Sequence, residues 1–321
     1  MFNVSIEFYW NDEVTCNFTQ EVLPVDSLGR SEQASYLTDY LSLYKNDSYV
    51  LNLNSEWGSG KTYFLKRWAN SIKDKHPVIY FDAWSNDFHN EPLTLILSEI
   101  IDQLTLLLKG RGKKKKIDKL FKQSAEVLKA TAPELAKGLF KKITGADIDK
   151  ISQDASNDKS DADIANIVSA STKGLLNLHK AQQKSVIELK KTIEQILQDV
   201  ICKDNIDDIK RWSPMYVFID ELDRCRPTFA IELLEVVKHI FAMKQVIFVI
   251  ATDTGQLQHS IKAVYGSGFD STRYLGRFFD RSFALSQPDL YSFIETLPSI
   301  NILFERIIET NDLHIIDWDK K

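Results

Sequence analysis

The sequence predicts an α/β fold, a three-layer sandwich in which helices cover a mainly parallel sheet and a helical insertion interrupts the chain. Three stretches predict it. Tyr49-Val50-Leu51-Asn52-Leu53-Asn54 reads as a buried strand running into the Gly-rich turn Ser55-Glu56-Trp57-Gly58-Ser59-Gly60-Lys61-Thr62, and a helix pattern follows with Phe64, Leu65, Trp68 and Ile72 on one side. Met215-Tyr216-Val217-Phe218-Ile219 is apolar throughout, as a strand buried on both faces should be, and it ends in Asp220-Glu221. Gln245-Val246-Ile247-Phe248-Val249-Ile250-Ala251 is another buried strand, ending in Thr252-Asp253. In open parallel sheets such polar strand tips face a shared crevice.

Taken in order, residues 2–18 hold two short alternating stretches, Val4 to Phe8 and Val14 to Phe18, which predict an edge hairpin. A helix pattern from Glu32 to Tyr44 follows, with Ala34, Leu37, Tyr40 and Leu41 on one face. It reads as a packed leading helix or as an element flanking a bound base. Pro77 to Phe81 is the second strand, followed by Asp82-Ala83-Trp84, and Pro92 opens a helix carrying Leu93, Ile96, Leu97, Ile100, Ile101 and Leu104.

From Lys109 to Asp208 the pattern becomes helical. Gly110 to Lys116 is a basic hinge whose four lysines read as a solvated turn, with phosphate-backbone binding as the alternative. Leu120, Phe121, Val127 and Leu128 fit one helix, Pro133 opens another, and Asp147 to Asp163 is polar enough for a mobile loop. Val186, Leu189, Ile193, Ile196 and Val200 make a seam of about two heptads, too short for a coiled coil. This arm either packs on the main body or binds a partner or a second copy of the chain.

A strand, a glycine turn and a helix in succession make a phosphate loop. The turn aims several backbone N–H donors at one point, at the favourable end of the helix dipole. Residues Trp57, Gly58, Ser59, Gly60, Lys61 and Thr62 would cradle a nucleotide, Lys61 reaching the β- and γ-phosphates and Thr62 holding Mg²⁺. The alternative is a chance Gly-Ser-Gly-Lys-Thr surface loop. Ser55 stands where the pattern has its first glycine.

Buried strands do not normally end in two acids, because an unpaired buried carboxylate is costly. Asp220 would hold Mg²⁺ beside Thr62, and Glu221 would polarise the water that attacks the γ-phosphate. Otherwise these acids cap the next helix or pair with Arg224. Asp253 is placed to sense the γ-phosphate or merely to cap a helix starting near Gly255. Arg273, Arg277 and Arg281 recur at intervals of four on an expected helical face before the strand-like Ser282-Phe283-Ala284-Leu285, and Arg277 is the candidate for contacting the γ-phosphate, in cis or from a neighbouring subunit, with structural ion pairing as the alternative.

Composition narrows the function classes. The 321 residues are 44% hydrophobic and 26% charged, enough for a full core, and 40 basic against 45 acidic side chains give a net charge of −5. Nucleic acid binding is not indicated by that charge. Three cysteines and six histidines share no metal or redox spacing, which predicts a reducing, cytoplasmic setting. The start has no signal-peptide pattern, and Pro92 to Leu108 is interrupted by Glu99 and Asp102, so no transmembrane span is expected.

Glu56-Trp57-Gly58-Ser59-Gly60-Lys61-Thr62, Phe81-Asp82-Ala83-Trp84, Val217 to Cys225, Val249 to Asp253 and Tyr274-Leu275-Gly276-Arg277-Phe278-Phe279 together resemble the KAP family of P-loop NTPases. The resemblance spans roughly Asp26 to Pro288 outside the insertion. It implies a P-loop NTPase sandwich, ATP with Mg²⁺, and roles ranging from membrane-associated signalling scaffolds to bacterial and plasmid proteins of phage exclusion. The matching positions carry over Lys61, Thr62, Asp220 and Glu221.

The expected organisation is a P-loop domain formed by residues 1–108 and 209–288, a helical insertion at 109–208 and a closing helical segment at 289–321. The expected function is a Mg²⁺-dependent ATPase acting as a conformational switch, with anti-phage defence as its setting. A nucleotide-gated scaffold with little turnover, whose arm recruits a partner, is the rival.

Overall fold

The computed structural model describes residues 6, 8–89, 91–108, 114–128, 183–199, 201 and 213–285. Its elements follow in order: β1 (Val14–Thr15), β2 (Val22–Leu23), α1 (Arg30–Ser42), β3 (Ser48–Asn54), α2 (Lys61–Ile72), β4 (Val78–Asp82), α3 (Ala83–Asn86), α4 (Pro92–Leu107) and α5 (Lys114–Leu128). A helix over 183–199, here α6, precedes β5 (Met215–Asp220), α7 (Pro227–His239), β6 (Val246–Thr252), α8 (Thr254–Tyr265), α9 (Ser271–Leu275) and β7 (Arg281–Ala284).

Five strands form one sheet in the order β4, β5, β6, β3, β7, and every described pairing in it is parallel. The strand entering the phosphate turn and the acid-tipped strand are therefore not neighbours, since β6 lies between them. Their ends still meet because the register is level, with Asn54 opposite Thr252 and Asp82 opposite Asp220.

Period-two alternation splits each inner strand between two apolar layers. Met215, Val217 and Ile219 of β5 face α4 and α7, while Tyr216 and Phe218 face α1 and α2. In the second layer Trp68 of α2 is fully buried, its ring 5.1 Å from that of Phe218 and its Nε1–H donating to Thr38 Oγ1 at 2.7 Å. Such a hydrogen-bonded indole fixes α2, and so the turn before it, against the sheet.

The expectation at Pro92 matches the structure, and Pro227, not singled out from the sequence, likewise sits in the first turn of a helix, where a missing N–H goes unmissed.

Elsewhere the outcome differs. Among the described residues Val14–Thr15 pairs with Val22–Leu23, and residues 4, 5 and 7 of the expected partner stretch Val4 to Phe8 lie outside the described residues. The lysine run is no simple turn, because α5 starts at Lys114. Burial of Leu120, Phe121, Val127 and Leu128 in the layer that holds α4 outweighs the unfavourable cation placement at a helix start. Lys116 also pairs with Asp199 of α6.

The seam residues Leu189, Ile193 and Ile196 are buried in that same layer, and Val186 packs against it. Lys190 Nζ donates to the His239 carbonyl at 2.9 Å, and the Lys244 N–H to Glu194 at 3.0 Å, tying α6 to the end of α7 and the loop before β6. Val200, the helix expected after Pro133, the loop at Asp147 to Asp163 and the closing segment lie outside the described residues.

Candidate active site

The turn between β3 and α2 holds its shape through two glycines in the left-handed region, Gly58 at φ 82° and Gly60 at φ 83°. Any side chain there would be strained. Ser55 explains itself: its N–H donates to the Thr252 carbonyl at 3.1 Å and its hydroxyl to the Leu285 carbonyl at 3.0 Å, so it anchors the turn to β6 and to the end of β7. Arg30, buried at the start of α1, donates from Nη2 to the Ser59 carbonyl at 2.7 Å. Lys61 Nζ lies over the turn, donating to the carbonyls of Ser55 at 2.6 Å and Glu56 at 3.1 Å. No acid occupies the first turn of α2, leaving its leading N–H groups to an anion.

The acids of β5 meet this turn. Thr62 Oγ1 donates to Glu221 Oε1 at 2.9 Å, across 159 positions of sequence. Asp220 is 1% exposed; it accepts from Tyr80 OH at 2.7 Å and from the Glu221 N–H at 2.9 Å. Burial pushes its carboxyl up to about 6; the Tyr80 and Thr62 hydroxyls pull it down, and the Glu221 charge pushes it up again. Burial, then the Asp220 charge, raises Tyr80 far above the ordinary phenol range, so it stays a donor.

Glu221 itself takes a left-handed backbone, φ 59°, unusual for a residue with a side chain and typical of strained positions at functional sites. Its other oxygen pairs with Arg224 Nε, so the pairing weighed from sequence is present.

At the tip of β6, Thr252 donates to Asn52 Oδ1 at 3.0 Å, and Asn52 Nδ2 donates to Thr254 at 3.0 Å and to Ser282 at 3.2 Å. Asp253 caps α8, accepting from the Gln256 N–H at 3.2 Å, and the helix begins at Thr254, one residue earlier than expected. We expect Asp253→Ala to lower the unfolding free energy by about 1 kcal/mol in a urea titration, with Asp253→Asn, which still caps, near the parent.

The expected arginine face does not form. Helix α9 ends at Leu275, Arg277 lies in the exposed turn that follows, and Arg281 begins β7. The cause is Asp280, whose N–H donates to the Val50 carbonyl at 2.9 Å and whose Oδ2 accepts from the Val50 N–H at 2.8 Å, diverting the chain into the sheet.

A family model described as the KAP family P-loop domain matches residues 30–314. The chain belongs to this family. No curated protein matches it. Among solved structures, "Structure of C. elegans PCH-2" is 13% identical, covering 87% of this chain and 48% of that one, with a TM-score of 0.31. The chain thus spans about half the length of that protein. No described helix of the KAP domain is long and apolar enough to cross a membrane.

Among its described residues the KAP domain has no cage of three or more His, Cys, Asp or Glu for a metal. Magnesium asks for less, one or two hard oxygen ligands beside substrate phosphates and water. The Thr62 hydroxyl and the Asp220 carboxylate fit that description, and the charge acting on Asp220 is that of a second acid, Glu221.

Three features of the site were not read from sequence. Tyr80 left a faint signal, a phenol two residues before Asp82 in an otherwise apolar strand. Arg30 and Asn52 left none, because their partners are distant in sequence.

Proposed function

We propose that this KAP P-loop domain is a Mg²⁺-dependent ATPase that uses hydrolysis as a conformational switch. The observation that carries the reading is the 2.9 Å bond from Thr62 to Glu221, which brings the phosphate turn and the acidic strand tip to one place. The leading N–H groups of α2 and Lys61 would hold the β- and γ-phosphates, Lys61 exchanging its two carbonyl partners for phosphate oxygens. Thr62 and Asp220 would hold magnesium, whose charge would offset that of the phosphates. Glu221 would take a proton from water as its oxygen bonds to the γ-phosphorus and the bond to the bridging oxygen breaks, giving ADP and inorganic phosphate.

Asp253 and Arg277 are the weaker members of the proposed site. Asp253 would act from the β6 tip, one of its oxygens being engaged as a cap. Arg277, exposed, would contact the γ-phosphate only after a rearrangement or across an interface between subunits. Anti-phage defence rests on family analogy alone.

Phosphate release and calorimetry test the reading. The purified chain is expected to release phosphate from ATP with magnesium and to lose all turnover when the metal is removed by EDTA. No heat on adding magnesium and ATP would end the proposal. The engagement of both Glu221 oxygens favours one rival, a nucleotide-gated scaffold with little turnover. Light scattering with and without ATP would then show assembly that depends on residues 109–208, alongside negligible phosphate release.

A further inference from the structure

Arg224 stands at a junction that the hydrolytic scheme does not use. Its Nε–H donates to Glu221 Oε2, and its guanidinium lies 5.2 Å from the ring centroid of Trp57 and 5.4 Å from that of Trp84. The two tryptophans come from different places. Trp57 belongs to the phosphate turn, next to Gly58, and Trp84 belongs to α3, which Asp82 caps at the tip of β4 through the Ser85 N–H at 2.9 Å. They are 75% and 54% exposed, so core burial does not account for them. What they do share is the arginine between them.

A partly exposed ion pair three residues apart contributes little by itself. This one has a geometric consequence. Glu221 has its Oε1 on Thr62 and its Oε2 on Arg224, so both oxygens are spoken for. Once the Thr62 hydroxyl turns to the nucleotide complex, Oε1 is released while Oε2 stays on the guanidinium. The carboxylate then presents a single free oxygen in a direction set by Arg224.

A planar guanidinium can stack between two rings and still donate in its own plane, which an ammonium cannot do. We infer that Arg224 is the positioning residue of Glu221, and that its seat between Trp57 and Trp84 ties the direction of the base to the state of the phosphate turn. This rests on the ATPase reading above and adds to it the part that aims the base.

The test compares Arg224→Lys with the parent chain in steady-state turnover and in tryptophan emission. The substitution keeps the charge but not the fork, and it is expected to lower kcat about tenfold or more while changing KM for ATP less than about threefold. Magnesium with ATP is expected to change the emission of the parent, and that change should be lost in Trp57→Phe and reduced in Arg224→Lys. Trp84→Leu, which removes one ring and leaves the phosphate turn intact, should give an intermediate loss of kcat. Matching melting temperatures would show that each variant is folded.

Parent-like kcat in Arg224→Lys, or a loss confined to KM, overturns the inference while leaving the ATPase reading in place. An emission change that ignores Arg224 overturns the coupling to the turn. A parent chain with no turnover at all overturns both readings together.

Discussion

Glu221→Gln is expected to lower ATP turnover by about a hundredfold or more while leaving nucleotide affinity within a few-fold of the parent. Glutamine has the shape of glutamate, and its amide oxygen can still accept from Thr62, whose bond to Oε1 is 2.9 Å. It cannot take a proton from water at neutral pH. The substitution also removes the ion pair with Arg224, but both side chains are partly exposed, so the stability change should be small. Phosphate release gives the turnover and calorimetry the affinity. A parent-like rate would show that Glu221 is not the base, and loss of binding would show that it serves the nucleotide rather than the water.

Asp220→Asn is expected to move function and stability in opposite directions. Burial raises the Asp220 carboxyl from 3.8 to about 6, so at pH 7 the folded, nucleotide-free chain carries an ionised group in a site that disfavours it. The sign follows from linkage. A folded value above the unfolded one means that the contribution to stability is full below about 3.8 and is lost as pH rises through about 6. From this group alone, the nucleotide-free protein becomes more stable as pH falls from 7 towards 4. The rise corresponds to roughly 3 kcal/mol.

Asparagine removes the charge but keeps only one acceptor for two donors, Tyr80 OH and the Glu221 N–H, a loss of about 1 kcal/mol. A net gain of about 2 kcal/mol should appear as a higher melting temperature without ligand. The same variant should lose magnesium-dependent turnover by about a hundredfold and gain no protection from magnesium and ATP. In the parent, kcat/KM should fall on acidification through about 6, as Asp220 takes up a proton in the free protein. A destabilised variant with full turnover would remove Asp220 from the proposed site.

Much of the architecture was legible because its signals are local. Ten or fewer residues carry each of them. The apolar runs at Met215 to Ile219 and Gln245 to Ala251 can be satisfied only inside a sheet, and they became β5 and β6. Gly58 and Gly60 announce a turn in the left-handed region, and Pro92 announces a helix start. The candidates Thr62, Asp220 and Glu221 were legible for the same reason, since each lies at the end of an element that the pattern places, although the sequence set Thr62 beside Asp220 and the structure bonds it to Glu221.

Other expectations failed where a distant partner decides. The intervals of four among Arg273, Arg277 and Arg281 suggested one helical face ahead of the expected strand, but two hydrogen bonds between Asp280 and Val50, 230 positions apart, draw Arg281 into β7. The lysines of Lys114 to Lys116 looked like a hinge, yet the burial of Leu120 and Phe121 against the sheet layer draws them into α5.

By itself, then, the sequence determined the main strands and helices of the sheet, that a glycine turn would sit at the start of a helix, and which acids would end a buried strand. Only the tertiary structure decided that β6 lies between the two functional strands, that Tyr80 reaches Asp220, that Arg30 holds the turn, and that Arg224 sits between two tryptophans while holding Glu221. The reason is physical. Backbone geometry and side-chain patterning act within a few residues, whereas strand order and buried polar contacts depend on which distant surfaces are withdrawn from water together.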